Sequence, residues 1–178
     1  RGEVIVCAGG LVSPKLLQLS GIGPAQALRA AGVEVVLDSP DVGQRARDHF
    51  VYQISYRLQG ERGLNHRYRG LGLARSVAEY FLAGAGPLAS GPFETGAMVR
   101  SRPGEARPDV QLMFSPTTMR RAEDGLSVPR AGVDTRPGMT AVAVMLRATS
   151  EGAMTIRSPN PDDPMTIEPN FLSTEEDQ

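Results

Sequence analysis

Residues 3–38 are punctuated in a way that few folds accommodate. Residues 3–7 (EVIVC) form a short, mostly β-branched run that ends in Ala8-Gly9-Gly10. That pattern predicts a buried strand followed by a tight turn, because glycine permits backbone angles and close approaches that other residues resist. Ser13-Pro14 then reads as the start of a helix, with Ser13 as its cap and Pro14 in the first turn. Leu16, Leu17 and Leu19 supply an apolar face, and Gly21 stops the helix. Pro24 opens a second short helix (PAQALRAA), closed by Gly32, and residues 33–37 (VEVVL) read as another strand. Strand, helix, helix, strand is α/β order.

Beyond His49 the texture changes. Residues 50–58 (FVYQISYRL) alternate as a half-buried strand does. Residues 60–72 are rich in arginine and glycine and read as an exposed loop. Leu73, Val77, Tyr80 and Phe81 recur at helical spacing, which predicts an amphipathic helix over 72–82. A turn-rich connector covers 84–92. Strand candidates follow at 95–100, 109–115, 140–148 and 153–158, with few helices between them, so an antiparallel sheet is expected. The fold class is therefore α/β plus α+β, divided near residue 50 into parts 1–50 and 51–178.

Composition narrows the function classes. The 178 residues are 40% hydrophobic and 22% charged, enough apolar material for a core. A net charge of −1 argues against a nucleic-acid binder. One cysteine and two histidines exclude a disulfide framework and a cysteine-built zinc site. Apolar runs fall far short of the roughly 20 residues of a spanning helix, and no secretory signal is visible; the expected location is cytoplasmic. The chain opens on Arg1, directly before a strand-like run, and 173–178 bring no finished terminal element. An excerpt of a longer protein is expected.

Residues 9–24, GGLVSPKLLQLSGIGP, are the most specific text in the chain. They resemble the second signature of the glucose–methanol–choline (GMC) oxidoreductases, through Gly9, Ser13, Pro14, Leu16, Leu17, Ser20, Gly21, Ile22 and Gly23. Gly10 departs from the small non-glycine residue usual there. Residues 42–49 (VGQRARDH) are similar to the family's VGxNLxDH segment, with Arg45 and Ala46 in place of Asn-Leu. Gly86-Pro87-Leu88-Ala89, Asp109-Val110-Gln111 and Pro169-Asn170-Phe171-Leu172 follow in family order. Glu151 stands where a basic residue is common.

The resemblance implies a flavoenzyme that binds FAD and oxidises a CH–OH donor, a small-molecule alcohol, by hydride transfer to the flavin. It implies that 1–50 end an FAD-binding domain of the two-dinucleotide type and that 51–178 belong to a substrate domain. Ala8, Gly9 and Gly10 are then the cofactor-binding residues, since small residues let the backbone approach the ligand. Glu94, before the strand at 95–100, is the substrate-binding candidate: in choline-oxidising relatives a glutamate at a similar place attracts the cationic head. Its alternative is a loop-end glutamate paired with an arginine such as Arg100.

Phe93 and Met98 are core or pocket wall, with core preferred, and Cys7 reads as a buried small hydrophobe. Arg45 and Arg47 read as a solvated face, with a cofactor phosphate as the other option. No catalytic residue is assigned. His49 reads as structural and His66 as a solvated surface residue. The histidine that usually acts as base, followed by Gly-Thr, is absent from the sequence. Gly21-Ile22-Gly23 mimics a dinucleotide fingerprint but follows a helix and lacks the third glycine, so its glycines read as a helix stop and restart. The carboxylates at 162–163 and 175–177 lack the spacing of a calcium loop. Two other functions stay open: an FAD-containing lyase of the hydroxynitrile type, and a non-catalytic truncated product. The isolated chain is expected to retain FAD weakly or not at all.

Overall fold

The structure, a computed structural model, describes residues 2–120 and 132–178. They form two compact units, one of residues up to Phe50 with Ala148–Gln178, the other Val51–Arg147. The break after Phe50 falls where the sequence texture changes. The second part differs from the expected 51–178, because the C-terminal segment packs with the first unit.

In the first unit, α1 runs from Gly9 to Leu19. It begins earlier than a Ser13 cap implies. Ser13 lies inside the helix, and its Oγ accepts a hydrogen bond from the Ala8 N–H at 3.1 Å. The helix stops as predicted: the Ser20 N–H returns to Leu16 and Leu17, and Gly21 takes φ +79°. The strand expected at 3–7 does not form. Val4 and Ile5 are 90% and 77% exposed, and Cys7 is exposed rather than buried. A strand needs a neighbour to satisfy its backbone, and no described segment pairs with this one.

β1 (Ile22–Gly23) and β2 (Leu37–Asp38) pair in parallel, with α2 (Ala25–Ala30) between them. The strand expected over 33–37 is thus reduced to its end. Asp38 Oδ1 accepts from the Ala25 N–H at 3.0 Å, satisfying one of the free donors at the start of α2. The apolar core is Leu28, Ala31 and Ile156, with Leu19, Val33, Val35 and Met165 packed around it. Leu28 is fully buried, a contribution of about 2 kcal/mol for a side chain of this size.

The C-terminal segment adds an antiparallel pair, β7 (Ala153–Thr155) and β8 (Thr166–Glu168). Gln18, 1% exposed, ties α1 to it. Its Nε2 donates to the Met154 carbonyl at 2.9 Å and the Val42 carbonyl at 3.3 Å, and its Oε1 accepts from the Ile156 N–H at 3.0 Å. Gly43 passes beside this knot with φ +78°, and a Cβ there would lie 2.3 Å from both Gln18 Nε2 and the Met154 carbonyl oxygen. Only glycine fits such a place.

The second unit is built on a four-stranded antiparallel sheet. Its strands are β3 (Val51–Arg57), β4 (Thr95–Val99), β5 (Val110–Ser115) and β6 (Gly138–Met145), in the order β3-β6-β5-β4. Along β6, Thr140, Val142 and Val144 are buried and alternate with half-buried Met139, Ala141, Ala143 and Met145. The register sets Tyr52, Ile54, Tyr56 and Phe114 on the half-buried side of the sheet. Those four remain exposed, so that face of the sheet is open.

The helix predicted over 72–82 is present as α3 (Gly70–Ala83). Its apolar stripe is not buried: Val77 is 39% exposed and Phe81 78%. The region expected as an exposed loop contains a 3-10 turn, Asn65–Tyr68, in which Asn65 is 1% exposed. Ser76 of α3 donates to the Arg67 carbonyl at 2.8 Å, and Glu79 pairs with Arg67 and Arg75, which holds helix to turn.

Candidate functional site

Two clefts are lined by site residues singled out in the sequence, Gly10 in one and Glu94 in the other. In the first unit a cleft of about 490 Å³ is lined by Gly10 and Leu11 at the start of α1, by Ala46, Arg47 and Asp48, and by residues of β7 and β8. Ala8, Gly9 and Gly10 are all exposed here. Gly9 takes φ +84°, and a Cβ at Gly9 or Gly10 would meet nothing within 4 Å. No acidic residue lies in the first turn of α1 and no side chain caps it. Such a start leaves backbone N–H groups and the positive end of the helix dipole open, which suits an anionic group such as a cofactor diphosphate.

Arg45 and Arg47 converge on Glu151. Arg47 reaches Glu151 Oε1 at 2.6 Å, and Arg45 Nε reaches Oε2 at 3.3 Å. The hydrogen bond from Arg47 holds the Glu151 carboxyl below its usual range, with Arg45 adding to it. Backbone bonds join the same segments, Ala46 N–H to Gly152 O at 3.0 Å and Gly152 N–H to Ala46 O at 2.8 Å. Arg45 itself takes φ +57°. Asparagine is enriched in that left-handed region, so the residue that departs from the Asn-Leu pattern stands where asparagine is comfortable. Two of the four sequence departures, Arg45 and Glu151, are therefore partners.

In the second unit a cleft of about 290 Å³ is lined by Glu94 and Thr95 on one side and by Phe114, Ser115 and Pro116 on another, with Leu58, Gly63 and Met139 completing the wall. Glu94 is exposed, and its N–H donates to the Phe114 carbonyl at 3.1 Å. Among the described residues it makes no ion pair, and Arg100 instead donates to the Ala106 carbonyl at 3.4 Å. The Tyr68 phenol is pushed up by burial, and the negative charge of Glu94 pushes it further. Its hydroxyl donates to the Pro87 carbonyl at 3.1 Å. Phe93 and Met98 are 41% and 57% exposed and do not line this cleft, so neither is core.

His49 and His66 are both exposed, and neither lines a cleft described above. Sequence reasoning missed Gln18 and Asn65. Gln18 lies in a helix read only from its apolar spacing, and Asn65 in a stretch that arginine and glycine made read as an exposed loop. Among the described residues no group of His, Cys, Asp and Glu could hold a metal ion, and no helix is long and apolar enough to cross a membrane.

Comparison with known proteins adds three findings. Residues 1–51 match the family model described as GMC oxidoreductase. The chain is 37% identical over 177 residues to the oxygen-dependent choline dehydrogenase of Brucella anthropi, which covers 99% of this chain and 31% of that protein. It is 36% identical over 176 residues to the human mitochondrial choline dehydrogenase, covering 98% of this chain and 28% of that one. The chain thus spans about a third of the length of the curated relatives it matches. Among solved structures, a formate oxidase of Aspergillus oryzae, described in connection with FAD modification, superposes with a TM-score of 0.75 at 25% identity. That likeness covers 94% of this chain and 33% of the other.

Proposed function

We propose that this chain, which belongs to the GMC oxidoreductase family, is part of an FAD-dependent enzyme that oxidises the CH–OH group of a small alcohol, with a cationic alcohol of the choline type as substrate. The observation that carries this reading is the likeness to choline dehydrogenases along 99% of the chain, rather than in one motif. FAD, when bound, supplies the hydride acceptor. Ala8, Gly9 and Gly10 would border its anionic part at the start of α1, with the backbone N–H groups of Gly9 and Gly10 as donors, since the Ala8 N–H is bonded to Ser13 Oγ, and small side chains keep the approach clear.

Glu94 holds the cationic head of the substrate. Its carboxylate stands at a cleft walled by Leu58, Phe114 and Met139, where a bound ligand displaces water and strengthens the charge pairing. Tyr68 stays protonated beside it, because burial and the Glu94 charge both disfavour the phenolate. The wall orients the alcohol while the carboxylate anchors it. No proton acceptor is assigned among the described residues.

The test is Glu94→Gln in the full-length, FAD-loaded protein. The expected result is a KM for choline raised on the order of ten-fold, kcat little changed, and no change in KM for an uncharged alcohol. An unchanged KM for choline removes Glu94 from the substrate site. Anaerobic addition of the alcohol is expected to bleach the flavin absorbance of the wild-type protein; turnover with the oxidised spectrum intact would replace oxidation by a lyase reaction.

A further inference from the structure

We propose that Asn65 is a positioning residue for substrate: it fixes the shape of the cleft beside Glu94 without touching the ligand. The inference rests on the reading that this cleft holds the substrate.

Asn65 is 1% exposed, a polar side chain taken out of water. All of its polar capacity goes to two loop segments. Its Nδ2 donates to the Thr118 carbonyl at 3.2 Å, to Thr118 Oγ1 at 3.0 Å and to the Asp134 carbonyl at 3.2 Å. Its Oδ1 accepts from the Thr118 N–H at 3.3 Å. The neighbouring Leu64 N–H donates to the Pro116 carbonyl at 3.3 Å. Asp134 is fixed in turn by Arg57, whose guanidinium lies 2.6 Å from its carboxylate.

These bonds join the two walls of the cleft. Gly63 lies two positions before Asn65, and Pro116 lies two positions before Thr118; Gly63 and Pro116 both line the cleft. Glu94 is bonded to the remaining side through the Phe114 carbonyl, at the end of β5. The separation between Glu94 and the Gly63 wall is therefore set by two cross-links among the described residues, the Leu64–Pro116 backbone bond and the side chain of Asn65, the only side chain among them. Buried polar networks are rigid when every member is satisfied and cannot be partly dismantled without movement. No other described side chain bridges residues 116–118 and 134 to the 3-10 turn.

The test compares Asn65→Ala, Thr118→Val, Glu94→Gln and the double variant Asn65→Ala/Glu94→Gln in the full-length FAD-loaded protein, with choline as the probe. Asn65→Ala is expected to raise KM about five-fold or more with kcat within about two-fold. Thr118→Val, which removes one acceptor and keeps the volume, shifts KM in the same direction by less. In the double variant the combined effect is smaller than the product of the two single effects, because Glu94 is the group whose position is lost. A role confined to stability would lower the unfolding midpoint and leave KM unchanged. If Asn65→Ala fails to bind flavin or fold, Thr118→Val decides by the same criterion. Wild-type KM in both variants while Glu94→Gln raises it overturns this inference alone, as do fully multiplicative effects. Wild-type KM in Glu94→Gln overturns the substrate reading beneath it.

Discussion

Gln18 and Asn65 are the same device used in two settings. Each is a primary amide with 1% of its surface exposed, and each bridges segments distant in sequence. Gln18 joins a helix to a strand pair, and the bonded Ile156 also belongs to an apolar core with Leu28 and Ala31. Asn65 joins a 3-10 turn to the segments of Thr118 and Asp134, in the unit whose sheet leaves Tyr52, Ile54 and Tyr56 exposed. The first amide reinforces packing that apolar burial already favours. The second, beside one backbone bond from Leu64 to Pro116, ties together segments that line a cleft. Loss of Gln18 should thus appear as lost stability, and loss of Asn65 as altered binding.

The largest effect is expected at Gln18→Ala. It strands the Met154 and Val42 carbonyls and the Ile156 N–H in the interior, and it opens a cavity. A loss of roughly 3 kcal/mol follows from about 1 kcal/mol or more for each orphaned group. Denaturant unfolding of the full-length protein measures it. A loss below about 1 kcal/mol would mean that water replaces the amide and would erase the contrast between the two hubs.

Next comes the acid response of two carboxylates, one in each unit. The Arg57 guanidinium, with the Arg136 N–H, holds Asp134 down at about 2. Burial alone would raise the Asp177 carboxyl, but donors from Ser150 and Thr149 overcome it and hold it well below the usual range. A folded-state pKa below the unfolded value gives stability that is complete above the ordinary carboxylate range and fades as pH falls through the folded value. The unfolding midpoint is therefore expected to hold down to about pH 4 and to fall between about pH 4 and 2. Asp177→Asn should flatten the part of that fall that belongs to the first unit, and Asp134→Asn the part that belongs to the second. A slope unchanged in both variants would locate the acid sensitivity elsewhere.

The smallest effect is expected at Arg45→Asn. Asparagine relieves a left-handed corner at φ +57° but gives up an exposed ion pair at 3.3 Å. Exposed pairs contribute about 0–1 kcal/mol and the backbone relief is of similar size, so the net change should stay within about 0.5 kcal/mol. A thermal midpoint shifted by several degrees in either direction would show that one term dominates.

Much of the secondary structure was legible. The helix stop and restart around Gly21 and Pro24, the helix containing Leu73 and Val77, and the strands at 95–99, 110–115 and 138–145 follow from spacing and from glycine and proline chemistry. The failures have a common cause. Residues 3–7 have strand composition but no strand partner, and Phe93 and Met98 are apolar but exposed. Burial is a property of neighbours, and local pattern does not contain it. Of the candidate site, Gly9, Gly10 and Glu94 were read from the resemblance, whereas Asn65 was hidden in a stretch that arginine and glycine made look solvated.

The opening punctuation, the change of texture at residue 50 and the GMC motif over 9–24 were determined by the sequence itself, because turns, caps and periodicity act over a few residues. Tertiary structure decided which distant groups meet: that 148–178 return to the first unit, that Glu151 pairs with Arg45 and Arg47, and that Asn65 bridges Thr118 and Asp134. Hydrogen bonds and ion pairs form wherever the folded chain brings donor and acceptor within about 3 Å, at any separation in sequence.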